Sequence, residues 1–328
     1  MADIRAQVTQ RIVEAIEAGV PPWRKGWTTT GGLHYNESSG KPYRGINQIL
    51  LSLGSANAMA FDGPQGTSDP RWMTLKQANA KGLKIMKGAK ATQIVRMVEV
   101  EQSTPTPEGD EVLAEDKEKR LVMKTFHVFN GSQVEGLEPL PPKECKVQPV
   151  EAADAIVAGM RATGLTVLHG GNAAAYFEKA DTVRVPERED FKSTEDYYAT
   201  LLHELSHSTG AEKRLKRLHR SSIFGSSNYA REELVAELCA AMTCAGIGMP
   251  MGPTIIGSHA SYMASWLQCL KADKNAIFVA AGAAERACEY LREHALVVAP
   301  KEDAANDEIT LLDIEAIAAA PTRRGMTL

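Results

Sequence analysis

His203 and His207 stand one helical turn apart with Glu204 beside the first of them, in the run HELSH. On an α-helix, side chains four residues apart leave the same face, so two imidazoles at this spacing can hold one divalent cation. Such an ion acidifies water and polarises a carbonyl, and Glu204 is placed to take the proton and hand it to a leaving amine. The pattern predicts a metallohydrolase, a peptidase first of all. A tetrahedral catalytic ion wants a third protein ligand and one open position. Glu233 is chosen for that role. On a helical wheel over residues 229–244 it clusters with Ala236, Glu237 and Ala240, apart from the apolar face of Leu234, Val235, Leu238, Ala241 and Met242, while Glu232 points elsewhere. Glu237, one turn beyond Glu233, is then expected behind the ligands, orienting a histidine. The choice between Glu233 and Glu237 as ligand stays open, since paired glutamates ordinarily form a solvated face. Two histidines and a glutamate suit zinc and also accept manganese or cobalt. Tyr262 and His259 are candidates for an oxyanion donor, against the common role of such residues as core.

A helix must carry the two histidines, and Ser193 followed by Asp196 is a capping signal for one running through about residue 208. Another is predicted from near Tyr229 through REELVAELCAAMTCAG, and Ala-rich helices over roughly 258–295. A helix over 151–163 and short strands at 166–170 and 181–186 precede the motif. The second half is thus mainly helical with a small sheet. In the first half, Ile4, Val8, Ile12, Val13 and Ile16 mark an amphipathic helix ended by Gly19, Pro21 and Pro22. Residues 21–47 lack a period and are predicted to form a long ordered loop. Helices at 46–60 and 74–82 precede two strands, one in KGLKIMKGAKATQIVRMVEVE and its partner over 121–136, joined by a polar, acidic hairpin loop. The Pro-rich run 137–152 separates a first domain, 1–147, from a second, 148–328, in an α+β protein.

At 328 residues the chain is long enough for two domains with a core each, and 44% hydrophobic with 24% charged residues excludes global disorder. No signal peptide and no long apolar run is present, and the odd set Cys145, Cys239, Cys244, Cys269 and Cys288 contains no CxxC pair. The expectation is a cytoplasmic protein with free thiols and no membrane contact. The net charge of −4 hides an asymmetry: residues 1–100 hold 13 Lys and Arg against 7 Asp and Glu. A basic first half is compatible with a polyanion.

With these residues in view, the chain resembles the ArdC-type antirestriction proteins of conjugative plasmids. YYATLLHELSHSTG (197–210) and YAREELVAEL (229–238) are similar to that family's zincin-like metallopeptidase signature. PPWRKGW, GKPYRGIN, RWMTLKQA, KGLKIMKGAK and FHVFNGSQVEG resemble its N-terminal single-stranded-DNA-binding domain. The resemblance implies a protein that binds single-stranded DNA and protects incoming plasmid DNA from host restriction. Its protein substrate would be a restriction component or regulator. Trp23, Arg24, Lys25, Trp27, Tyr43, Arg44 and Trp72 supply the mixture of aromatic faces and cations that single strands need, and Lys76, Lys84, Lys87 and Lys90 extend the basic track. The sequence departs from the family at Ser208, where many relatives carry Trp, and in the acidic segment 108–120. Two other readings compete: a DNA-coating protein whose metal domain is structural, and a cytoplasmic metallopeptidase whose first domain recognises protein.

Overall fold

A computed structural model describes residues 3–19, 21–25, 32–58, 69–102, 118–138, 140, 149–218, 227–250 and 259–295. The predicted boundary at 147/148, Trp27, Cys145 and most of the acidic segment lie outside these residues, as do the side chains of Arg24, Lys25, His259 and Tyr262.

The first half opens with α1 (Ile4–Glu17), capped by Asp3, whose carboxylate accepts the N–H groups of Arg5 and Ala6. The expected apolar face is the buried one: Val8, Ile12, Val13 and Ile16. A short helix α2 (Pro22–Lys25) follows where sequence reasoning placed only loop, with proline at the start, where its missing N–H costs nothing. Then come β1 (Tyr35–Asn36), α3 (Ile46–Ala58), β2 (Arg71–Met73), α4 (Leu75–Ala80), β3 (Lys84–Ile85), β4 (Thr92–Gln102), β5 (Glu118–Asn130) and β6 (Val134–Glu135). Strands β4 and β5 pair antiparallel over eleven residues, from Thr92 opposite Val128 to Gln102 opposite Glu118. They form one edge of the sheet β1-β2-β5-β4, while β3 pairs with β6.

Hydrogen bonds from α3 organise the stretch read as a binding loop. Gln48 accepts the His34 N–H and donates to the carbonyls of His34 and Tyr43, and Asn47 bonds both the N–H and the C=O of Val95. Trp72 donates to His34 Nδ1 at 3.1 Å, which leaves the proton on Nε2, facing Ser52 Oγ at 3.3 Å. His34 is 2% exposed, and burial pushes its pKa down from 6.5 to about 3.

The second half comprises α5 (Pro149–Ala162), β7 (Thr166–His169), β8 (Ala175–Phe177), β9 (Thr182–Val185), α6 (Thr194–Thr209), α7 (Ser227–Ile247), α8 (His259–Ala272) and α9 (Ala276–Glu293). The small sheet runs β7-β9-β8, its last pair antiparallel. Ser193 caps α6 by accepting the Asp196 N–H at 3.1 Å. Helix α7 is buried on every side from Glu233 to Ala245, rather than along one stripe. Its alanines let α6 and α9 approach from different directions.

The largest core is shared by the two halves, beside two smaller clusters inside the first half, one of Leu51, Trp72, Ile94 and Val128 and one of Met73, Ala78 and Val134. Ile12, Ile16, Trp23, Ile49 and Leu50 from the first join Leu201, Leu205, Leu234, Leu238 and Ile277 from the second in one apolar cluster. Polar contacts cross the same seam. Thr9 donates to the Lys274 carbonyl at 2.8 Å, Glu285 accepts the Gly45 N–H at 2.7 Å, and Arg44 pairs with Glu285 and Glu289.

Candidate metal centre

Helices α6 and α7 lie side by side, and their facing residues make a compact donor set. His203 Nε2 and His207 Nε2 are 3.2 Å apart. Glu233 presents Oε2 to the first at 3.5 Å and Oε1 to the second at 3.6 Å. Atoms arranged tetrahedrally about 2.1 Å from a single ion stand about 3.4 Å from one another. The three side chains therefore already fit one divalent ion, and they are the cluster of this kind found among the described residues. His203 and Glu233 are 2% and 6% exposed, so the ion would sit in a nearly dry setting. Burial opposes charge on His207, but Glu232 and Glu233 outweigh it and hold its pKa well above the ordinary value. Burial likewise acts to raise the Glu233 pKa, and the two imidazoles reverse this to well below the carboxylate range.

Two carboxylates stand behind the ligands. Glu237 Oε2 lies 3.8 Å from His203 Nδ1, beyond hydrogen-bond distance. Glu232 is the residue that sequence reasoning set aside. Its Oε1 lies 3.1 Å from His207 Nδ1, and Arg217 clamps it with two contacts of 2.8 Å. The wheel failed here because an imidazole has two nitrogens on different sides: a residue turned away from the ion can face the outer one. Arg217 arrives because the chain folds back after α6. Gly210 accepts the N–H groups of Arg217 and Leu218, and Arg217 also donates to the Ser206 carbonyl at 2.8 Å. A Cβ on Gly210 would stand 2.9 Å from Leu218 Cγ, so the tight return favours glycine. Arg214 ties the same loop to the small sheet through Asp181, at 2.7 and 2.9 Å.

Glu204, 7% exposed, makes no hydrogen bond or ion pair among the described residues, which leaves its carboxylate uncommitted. Ser208, the position of departure, is buried and donates to the Leu205 carbonyl at 2.7 Å. The oxyanion candidates Tyr262 and His259 belong to α8, with side chains outside the described residues.

The expected DNA-contacting residues divide sharply. Trp23 and Trp72 are corrected: both rings are 0% exposed and cannot stack on a base in this conformation. Each has an acceptor for its N–H, Glu237 and His34 respectively, 214 and 38 residues away in sequence, so no local signal marked them as core. Tyr43 is half-buried, its hydroxyl accepting from Asn36 at 3.1 Å, and Arg44 is engaged with α9. Lys76, Lys84, Lys87 and Lys90 are exposed. On the β4–β5 ribbon, Arg96 stands directly opposite Lys124, and Phe126 is 37% exposed. Like charges directly opposite one another are unfavourable in a ladder.

Comparison with known proteins places these features in a family. A model of the N-terminal domain of the anti-restriction factor ArdC matches residues 2–129, and one of a zincin-like metallopeptidase matches residues 151–283. A DNA primase TraC from Escherichia coli is 37% identical over 87% of the chain, which spans 26% of that longer protein. An uncharacterised protein of Sinorhizobium fredii, y4eC, is 33% identical, with 94% of this chain and 95% of the relative covered. Crystal structures of the antirestriction ArdC protein of plasmid R388 match over 90% of this chain and 98% of theirs. The metal-free form gives a TM-score of 0.70 at 32% identity and the Mn(II)-bound form 0.68 at 33%. A relative crystallised with Mn(II) agrees with a centre built for a divalent ion. With both domain models and whole-length relatives aligned, the chain belongs to the ArdC family of antirestriction proteins, its second half a zincin-like metallopeptidase domain.

Proposed function

We propose that this protein is a cytoplasmic antirestriction factor that holds single-stranded DNA with its first half and hydrolyses a protein with its second, protecting incoming plasmid DNA. The observation that supports it best is the convergence of His203, His207 and Glu233 within ligand distance of one point, with Glu204 next to the first ligand in chain. A bound divalent ion, zinc by preference with manganese or cobalt as substitutes, would supply a Lewis acid that polarises a peptide carbonyl and makes water a nucleophile near neutral pH. Glu204 accepts the proton of the attacking water and returns it to the leaving nitrogen, while Glu232 and Glu237 hold the histidines. Exclusion of bulk water by the surrounding apolar helices strengthens each of these electrostatic effects.

For the DNA half, support comes from exposed cations, Lys76, Lys84, Lys87 and Lys90, with Arg96 and Lys124 on the ribbon, and from the exposed aromatic ring of Phe126 beside them. These replace the buried tryptophans as candidates. Among the described residues no helix is long and apolar enough to cross a membrane, and Cys239, Cys244, Cys269 and Cys288 are free thiols.

Two measurements test this reading. Unfolded casein should be cleaved by the metal-loaded protein and not by Glu204→Gln, which keeps its metal by elemental analysis; equal cleavage by both removes Glu204 from the reaction. Affinity for a labelled oligonucleotide should fall steeply with salt, and a slope of zero removes DNA. Comparing the proteomes of recipient cells expressing the wild type and Glu204→Gln would identify the substrate, expected to be a restriction component or its regulator.

A further inference from the structure

Trp23 belongs to the first half, yet its side chain reaches Glu237, one of the carboxylates behind the metal ligands. It comes from α2, 214 residues before the glutamate it touches. Its indole N–H donates to Glu237 Oε1 at 3.3 Å, and the ring meets Trp266 edge-on, with centroids 5.8 Å apart. The ring is 0% exposed and Glu237 is 1% exposed. A buried carboxylate is costly unless donors meet it, and donors also decide which way it points. Here one oxygen is taken by Trp23, and the other stands 3.8 Å from His203 Nδ1, a buried nitrogen with no hydrogen-bond partner among the described residues. A carboxylate at that nitrogen favours the tautomer with its proton on Nδ1. The Nε2 lone pair is then free to face His207 Nε2 and Glu233.

We propose that Trp23 is a positioning residue of the metal centre: by fixing Glu237 it orients His203, so that metal affinity depends on the seating of the N-terminal segment. The proposal rests on the reading of His203, His207 and Glu233 as a ligand set. A consequence is thermodynamic linkage. Metal loading tightens the seat of Trp23, and anything that draws residues 21–25 away weakens metal binding by the same factor. The first half thereby contributes to the chemistry of the second without touching substrate.

The experiment measures metal affinity on the full chain, by competition of zinc with a chromogenic chelator, for the wild type, Trp23→Phe, Glu237→Gln and the double variant. Should Trp23→Phe fail to fold, a chain with β-(3-benzothienyl)alanine at position 23 keeps the ring volume and lacks only the N–H. Removing Glu237 should weaken zinc by about tenfold or more, as for other partners of ligating histidines. Loss of the indole donor should weaken it by roughly threefold to tenfold, on the same grounds. The double variant should be no weaker than Glu237→Gln, because the two act in series. The d–d spectrum of the cobalt-loaded protein should shift with the missing donor, which a loss of packing alone would not produce. Wild-type affinity and an unchanged cobalt spectrum in the benzothienyl protein would overturn the role of Trp23. Absence of saturable metal binding by the wild type would instead overturn the ligand set itself.

Discussion

Glu232 and Glu233, consecutive in α7, hold opposite edges of one imidazole: Glu232 Oε1 lies 3.1 Å from His207 Nδ1, and Glu233 Oε1 3.6 Å from its Nε2. One grips the ring from behind while the other stands beside it as a fellow ligand. Glu232→Gln keeps a hydrogen-bonding side chain but removes the charge that makes the ring more basic, and should lower metal affinity by about tenfold. Arg217→Lys should do the same more weakly, since a lysine cannot form the two-pronged clamp. Both are measured by chelator competition, and unchanged affinity in Glu232→Gln would mean that the ring needs no such support.

Acid should weaken the first half through His34. Burial holds its pKa down at about 3 in the folded protein, against 6.5 for the ordinary side chain. The unfolded chain therefore takes up this proton first as pH falls, and the folded state loses ground. The contribution is fully present above 6.5 and declines by about 1.4 kcal/mol per pH unit below it, until His34 itself titrates. Guanidinium unfolding at pH 7, 6 and 5 checks this, with His34→Gln expected to show a flatter dependence than the wild type. Parallel curves for the two proteins would exclude His34 as the cause.

The lysines in and just after β3 give a DNA-specific expectation. Replacing Lys84, Lys87 and Lys90 together with glutamine leaves the fold alone, because all three are exposed. If each meets a phosphate, the slope of log affinity against log salt should flatten by about 2, at roughly 0.7 per contact on a single strand. Oligonucleotide titrations at several salt concentrations measure the slope, and an unaltered one would move the DNA path elsewhere, the Arg96 and Lys124 face being next to test.

Close packing of α5 against the end of α9 makes a sharp prediction at Gly159. A Cβ there would fall 1.5 Å from the His294 carbonyl oxygen, a backbone atom that cannot swing aside. Gly159→Ala should cost roughly 3 kcal/mol by overpacking. Gly246→Ala is the opposite case, within α7 and with nothing within 4 Å of the added carbon. That change should stabilise by up to about 1 kcal/mol through helix propensity. Thermal melts of the two variants should shift in opposite directions.

How much of this was legible beforehand depends on how local each signal is. The histidine pair and the Ser193 cap are patterns within one helix, and the structure brings His203, His207 and Glu233 together at the distances a shared ion needs. Glu237, on the same wheel face, stands 3.8 Å from His203 Nδ1. Glu232 was missed because a wheel shows directions from one helix axis and not the far side of a ring on another. The tryptophans were misread for a related reason. A Trp in a stretch without period looks the same whether it waits for a base or for a buried acceptor, and the acceptors of Trp23 and Trp72 are remote in sequence. The length suggested two separable cores, and only tertiary packing reveals that Ile12 and Leu238 belong to one.

That shared core constrains how the architecture can travel between genes. A cut between the halves would strip α1 and Trp23 from the helices that carry the ligands, opening apolar surface on both pieces. A longer polypeptide that takes up both halves keeps that shared packing, and the TraC primase aligns with 87% of the chain.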